Sequence, residues 1–152
     1  MADYTEEEFM FITKTVMKVL DAWNLTTEQT VQVLGLPEQT KKRQLDKYRS
    51  LKAFPKNDVT IRRLSHIVGI SDALRTTFPR NINMAEKWMK TEHRRFNNNT
   101  PLHIILEEGV NGLCKVRSEL DCTFAWNSSS TNSNIFMKKL YTIKNSKLHG
   151  KG

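Results

Sequence analysis

Between Leu64 and Asp121 the chain is punctuated in an order that few folds accept. A long apolar helical stretch ends at Phe78-Pro79, and a short Trp-bearing stretch follows at Met84-Ala85-Glu86-Lys87-Trp88. A polar turn comes next, Phe96-Asn97-Asn98-Asn99. Thr100-Pro101-Leu102 then opens a further helix, because Thr is an N-cap residue and Pro is tolerated in the first turn. Gly109 suits a left-handed helix end, and Gly112 lies at the entry to the last helix, which carries Val116-Arg117 and Leu120-Asp121. Leu102, Leu106, Leu113, Val116 and Leu120 supply core faces. The helices are predicted over 82–90, 101–108 and 111–122. Asp58 is read as the cap of the long one, with Ile61, Leu64, Ile67, Val68, Leu74 and Phe78 on one side. Gly69 inside it costs up to about 1 kcal/mol relative to Ala. It marks either a bend or a close contact.

The N-terminal half is also helical. Thr5-Glu6-Glu7-Glu8 forms a capping box, in which a Thr hydroxyl and a Glu carboxylate satisfy free amides at a helix start. Phe9, Ile12, Val16, Val19, Leu20 and Trp23 follow at steps of three and four, one apolar stripe. Asn24-Leu25 breaks this helix. Thr26-Thr27-Glu28-Gln29 is a second capping box, opening a short helix through Val31 and Leu34 that Gly35 ends. Leu36-Pro37 is read as the start of a third, strongly basic helix from Glu38 to about Arg49. Residues 50–57 form a connector. No alternating strand pattern of useful length occurs, so the fold is predicted to be all-α.

Charge is spread unevenly. The 152 residues carry a formal net charge of +8. From Lys41 to Arg63 there are nine bases against two acids, and from Ile135 onward five lysines and no acid. Such a balance fits an anionic partner, most often nucleic acid, or serves solubility alone. Residues 127–134 are only Asn, Ser and Thr, too polar to offset the entropy of ordering, and are read as a linker. Beyond it Ile135, Phe136, Leu140, Tyr141 and Ile143 recur among lysines. That tail is compatible with an amphipathic helix, a strand, or a segment ordered by a partner.

Cys114 and Cys122 lie on one predicted helix about 12 Å apart, beyond disulfide reach. They are expected to be free, buried thiols in a reducing cytosol. The acidic N-terminus has no signal-peptide character, and no run approaches the roughly 18 apolar residues of a membrane span. A cytoplasmic protein with no membrane partner is expected. His66, His93, His103 and His149 show no metal-ligand spacing. No catalytic triad or Gly-rich phosphate loop can be assembled. Neither an enzyme nor a cofactor or metal is expected.

Phe78-Pro79, Trp88, Phe96, Thr100-Pro101-Leu102, Gly109, Gly112-Leu113, Val116-Arg117 and Leu120-Asp121, in that order, resemble the toxin-binding domain of the Xre/MbcA/ParS antitoxin family. Asn97 and Asn98 stand where the family often has two glycines, and Asn also tolerates positive φ. Asn99 departs from a basic residue common there. Arg117 keeps the family's type; it either reaches a partner or pairs with Glu119, Asp121 or a carbonyl. The segment from Thr26 to Arg49 resembles an Xre-type helix-turn-helix more weakly. In that motif the second helix reads the major groove. Gln39, Thr40, Arg43 and Gln44 suit base contact, and Lys41, Lys42, Lys47 and Arg49 suit phosphate contact. Only Leu45 and Tyr48 are available to pack this helix, which points to a later start or a rotated setting. A solvated basic face is the alternative.

The resemblance implies a helix-turn-helix domain over 1–63, a small helical toxin-binding domain over 64–126 and a tail over 127–152, with a long helix shared between the first two. It implies the antitoxin of a type II pair that binds operator DNA, dimerises or joins a larger toxin–antitoxin complex, and blocks a toxin of the NAD-consuming RES type. The toxin would be met by Asn97, Asn98, Asn99, Arg117, Asp121, Phe124 and Trp126. Two other readings stay open. One is a stand-alone DNA-binding regulator that self-associates through the C-terminal domain. The other is a protein-interaction module whose basic helix is only a soluble face.

Overall fold

The computed structural model describes residues 4–81 and 83–125, with side chains up to residue 121. The linker and tail, Trp126, and the side chains of Phe124 and Cys122 lie outside the described residues. The described residues form seven α-helices and no strand. They are α1 (Glu6–Ala22), α2 (Thr27–Leu34), α3 (Lys42–Ser50), α4 (Asp58–Thr77), α5 (Met84–Met89), α6 (Pro101–Glu108) and α7 (Val110–Ala125). A single 3-10 turn, Arg94–Phe96, separates α5 from α6.

Local chemistry explains most of the boundaries. Thr5 and Glu8 exchange the two bonds of a capping box at α1, and Thr26 and Gln29 do so at α2. Gly35 ends α2 in the left-handed region, at φ 69°. Thr100 caps α6, accepting from the His103 amide, and Pro101 fills the first turn. The cap of α4 is Asn57, whose side chain accepts from the Thr60 amide; Asp58 is the first helical residue. Gly109 has positive φ as expected, yet its ψ of −128° lies outside the left-handed helical region.

The α4 helix is the centre of the molecule. Leu64, Ile67, Val68, Gly69, Ile70, Ala73 and Leu74 are all buried. Four consecutive buried positions, 67 to 70, mean that α4 is covered on more than one side. It packs most extensively on α7, and also touches α1, α2 and α5. The α6 helix lies along α7, and α3 lies along α1. One apolar cluster runs from Phe9 to Leu120. The boundary expected between residues 63 and 64 thus falls inside a helix that contributes to a single core.

Two contacts are tight because of glycine. A Cβ at Gly112 would stand 2.3 Å from the Ile104 carbonyl oxygen, so α6 and α7 touch backbone to backbone. A Cβ at Gly69 would meet Arg117 Nε at 2.7 Å. Gly69 therefore marks a close contact. Polar threads join the two halves. Gln32 Nε2 donates to the Leu106 carbonyl at 2.6 Å. Asn24 Nδ2 donates to Glu86, and Lys90 Nζ to the Asn24 carbonyl. Buried Thr13 accepts from the Phe54 amide and donates to the Phe9 carbonyl, anchoring the connector after α3 to α1.

Candidate functional site

The basic helix starts later than Pro37 suggested. Leu36 is buried, and Thr40 N–H closes a turn on the Pro37 carbonyl. Lys41 is extended, and its amide donates to Gln44 Oε1 at 2.9 Å. Gln44 thus reaches back to the helix start and sets it at Lys42. The predicted helix over 38–41 is corrected to a turn and an extended residue. Seven residues, 35 to 41, separate α2 from α3. A helix-turn-helix is usually joined by three or four.

Leu45 and Tyr48 are the two buried residues of α3, and the Tyr48 ring packs tilted against Phe54, centroids 4.9 Å apart. Gln39, Lys41, Lys42, Arg43, Gln44 and Lys47 are exposed, and Thr40 is half-buried. Arg49 differs from them. Its Nε and Nη2 grip both oxygens of Asp21 at 3.0 and 2.7 Å, and Nη1 reaches Asp46 at 2.6 Å. The hydrogen bond to Asp21 is the main cause that holds this guanidinium above its ordinary value. Arg49 clamps α3 to α1, and its charge is already matched.

No acid lies in the first turn of α3, where Lys41, Lys42 and Arg43 gather instead. Cations at the positive end of a helix dipole oppose helix formation by a few tenths of a kcal/mol or about 1 kcal/mol each. The same placement concentrates positive field on one exposed end, which suits an anionic ligand.

The second candidate face lies between α5, the 3-10 turn and α7. Three rings cluster there. Trp88 and His93 are 4.9 Å apart, and Phe96 meets both edge-on at 6.4 and 6.1 Å. His93 Nε2 is bonded to the Trp88 carbonyl, which fixes the imidazole plane. The Asn turn follows, held by His93 N–H to the Asn99 carbonyl and Asn98 N–H to the His93 carbonyl. Asn97 and Asn98 both take positive φ, 56° and 64°. Their side chains are exposed and Asn99 is half-buried.

A cleft of about 440 Å³ opens beside these rings, walled by Phe78, Arg94, Arg95, Glu119 and Leu120. Arg95 pairs with Glu119 at 2.6 Å. Beyond that pair a second depression of about 590 Å³ continues past Asn111, Cys114, Lys115 and Ser118. Cys114 is a free, exposed thiol, which corrects the expected burial.

Arg117 and Asp121 lie apart from the Asn turn, on the α4 side of α7. The Arg117 side chain is only 13% exposed. It lies on Gly69, with Nη1 3.2 Å from His66 Nδ1 and Nε 3.6 Å from Asp121. Burial first, then the charges of Arg117 and Arg62, lower the His66 pKa. Burial raises that of Asp121; Arg117 opposes this and Asp72 adds to it. Of the residues expected to meet a toxin, the described ones thus fall into an exposed turn and an inward charge cluster.

The sequence pattern does not single out Arg94 or Arg95, and it marks His93 only by the lack of metal-ligand spacing. The adjacent Arg-Arg-Phe before three asparagines was the available signal. Among the described residues no group of three or more His, Cys, Asp or Glu is placed to hold a metal. No helix among them is long and apolar enough to cross a membrane. No protein-family model, no curated protein and no solved structure matches the chain.

Proposed function

We propose that this chain is the antitoxin of a type II toxin–antitoxin pair. Its α5–α7 region binds and blocks a toxin, and its basic α3 end binds the operator of its own operon. The observation that carries the reading is the order of elements from Leu64 to Asp121. The long helix stops at Phe78, a short helix carries Trp88, an Asn turn follows, and Thr100-Pro101 starts a helix that Gly109 closes. Positive φ at Asn97 and Asn98 is the backbone that a glycine pair would adopt at the family's position. By that resemblance the toxin is a RES-domain protein that consumes NAD. The Asn turn is the exposed part of the proposed toxin contact; Arg117 and Asp121 form a separate, inward-facing cluster against α4.

Co-expression with the product of the adjacent gene tests this reading. A stable complex that relieves growth arrest is expected. An adjacent product that neither arrests growth nor co-purifies would sink it. For the DNA half, a gel shift with the upstream region should weaken steeply as salt rises. Reversing Lys41, Lys42 and Arg43 to Glu should abolish the shift without affecting the complex.

A stand-alone regulator is the second reading, with self-association moved from the C-terminal domain to the α3–α4 connector. Exposed Leu51 and Val59, at 75% and 62%, favour it, because they bracket the α3–α4 connector beside the basic helix. A dimer that Leu51→Lys dissociates, together with no toxin partner, would favour this reading over the first.

A further inference from the structure

The two depressions along α7 share Arg95, Phe96 and Glu119 as walls and so form one groove. We propose that this groove seats an acidic amphipathic helix of a partner protein, anchored by one aromatic side chain in the Trp88–His93–Phe96 cleft. The proposal rests on reading this region as the face that meets a partner, and it names what that partner presents.

Three observations specify the occupant. The first is the anchor pocket. Phe96 and Leu120 are buried and form its floor, while Trp88 and Phe78 remain half-exposed along its side. His93 is held by the Trp88 carbonyl, so the ring cluster is pre-organised. A planar side chain entering it meets ring edges and faces already at stacking distance, the arrangement typical of interface hot spots.

The second is the shape of the remainder. Asn111, Cys114, Lys115, Ser118 and Glu119 recur at steps of three and four along one face of α7. Asn111, Cys114, Lys115 and Ser118 are exposed, with Arg95 and Glu108 at the edges of the face, and the side chains of Asn111, Cys114 and Ser118 are short. From Asn111 to Leu120 the groove runs about 14 Å along the helix axis, about two and a half helical turns. That length matches two to three turns of a helix laid beside α7 and exceeds what one small ligand needs.

The third is charge. Glu119 is matched by Arg95, and Glu108 by Lys115. Arg94, on the cleft rim, is exposed and has no ion-pair partner among the described residues. The uncompensated charge of the groove is therefore positive, on a chain of net charge +8. A carboxylate beside the aromatic anchor would meet Arg94. Nucleic acid fits less well, since one uncompensated arginine is far short of the several cations that a phosphate backbone engages.

Two arms test the proposal. In the first, the full chain is co-expressed with the adjacent gene product. Arg94→Glu should weaken the complex about tenfold or more. Ser118→Trp, which fills the groove from an exposed position, should abolish it. Lys18→Trp, an exposed change on α1, should leave the complex intact and controls for folding. A complex that tolerates both groove variants would overturn the groove proposal and leave the antitoxin reading standing.

If the adjacent product does not bind the wild-type chain, the antitoxin reading fails and the second arm decides. A synthetic 14-residue amphipathic helix with one Trp flanked by Glu is titrated onto the isotope-labelled full chain. Shifts confined to the Trp88 indole, Arg94–Phe96 and the 111–119 face support the groove. They should vanish with Arg94→Glu, and with a peptide carrying Lys for Glu. No shift at millimolar peptide, or equal shifts from a short oligothymidine, would overturn it.

Discussion

Arg63 and Arg117 lie on glycines in the same way and are satisfied in opposite ways. Arg63 lies over Gly35, where a Cβ would stand 2.7 Å from its Nε, and its Nη2 is 3.6 Å from a Cβ built at Gly109. Its partners are backbone: the Val33 carbonyl at 3.0 Å and the Gln32 carbonyl at 3.4 Å, at the negative end of α2. Its Nε is buried without a partner, and burial lowers its pKa. Arg117 lies over Gly69 and is surrounded by side chains, His66 and Asp121. The first contact ties the turn before the basic helix to the α6–α7 turn. The second lies wholly between α4 and α7. One should respond to backbone changes, and the other to protonation.

The largest expected effect breaks the first contact. At Gly35 an Ala side chain must adopt φ 69° and also displace Arg63 from both carbonyls. Left-handed strain of about 1–2 kcal/mol and a lost carbonyl cap of about 1 kcal/mol add to about 2–3 kcal/mol. At Gly69 the backbone is ordinary helix, so Ala gains up to about 1 kcal/mol in propensity while Arg117 is displaced. Gly69→Ala should fall within about 1 kcal/mol of wild type. Urea denaturation measures both. Equal losses at the two glycines would remove the distinction between them.

Arg117→Met sharpens the comparison from the other side. It keeps much of the side-chain volume over Gly69 and leaves Asp121 half-buried beside Asp72 without its counter-charge. A loss of about 1–2 kcal/mol is expected. The loss should shrink in Asp121→Asn, because both members of the pair are then absent. Additive losses in that double-mutant cycle would mean that Arg117 acts through packing alone.

What was legible in the sequence follows the range of the interaction. The caps at Thr5, Thr26 and Thr100 are bonds between residues three apart, and they were readable as such. Positive φ at Asn97 and Asn98 follows from Asn chemistry in a tight turn. A later start of α3 was hinted at by the packing residues Leu45 and Tyr48, but its position at Lys42 was not readable, because Lys41 is no cap residue and its amide is satisfied by Gln44 Oε1. Cys114 was misplaced because it sits on the 111–118 stripe, turned away from Leu113, Val116 and Leu120. Gly69 and Arg117 are 48 positions apart, and no local pattern couples them. The same holds for the aromatic cleft. Trp88 and Phe96 stand out in the sequence, whereas the fixing of His93 between them depends on a turn that only the folded chain forms. The order of elements was thus readable, and the groove they enclose was not.

The smallest effect concerns protonation and belongs to the Arg117 side alone. His66 sits below the ordinary imidazole value of 6.5, first from burial and then from Arg117 and Arg62. The unfolded chain therefore takes the proton more readily than the folded one. Stability from this group is fully present above about pH 6.5 and is lost as pH falls from there toward the folded value. Asp121 faces the same cluster with the opposite sign. Its folded value is raised above 3.8, so its contribution is lost as pH rises through that folded value. The histidine can be isolated by following its imidazole resonances directly. In Arg117→Met its pKa should move up toward 6.5 without reaching it, since burial is the larger cause. His66→Gln should flatten the stability decline between about pH 7.5 and 5.5. Arg63→Met should leave the His66 titration unchanged, because Arg63 acts on the carbonyls of α2. A shift there as large as that from Arg117→Met would mean that the two arginine contacts share one network.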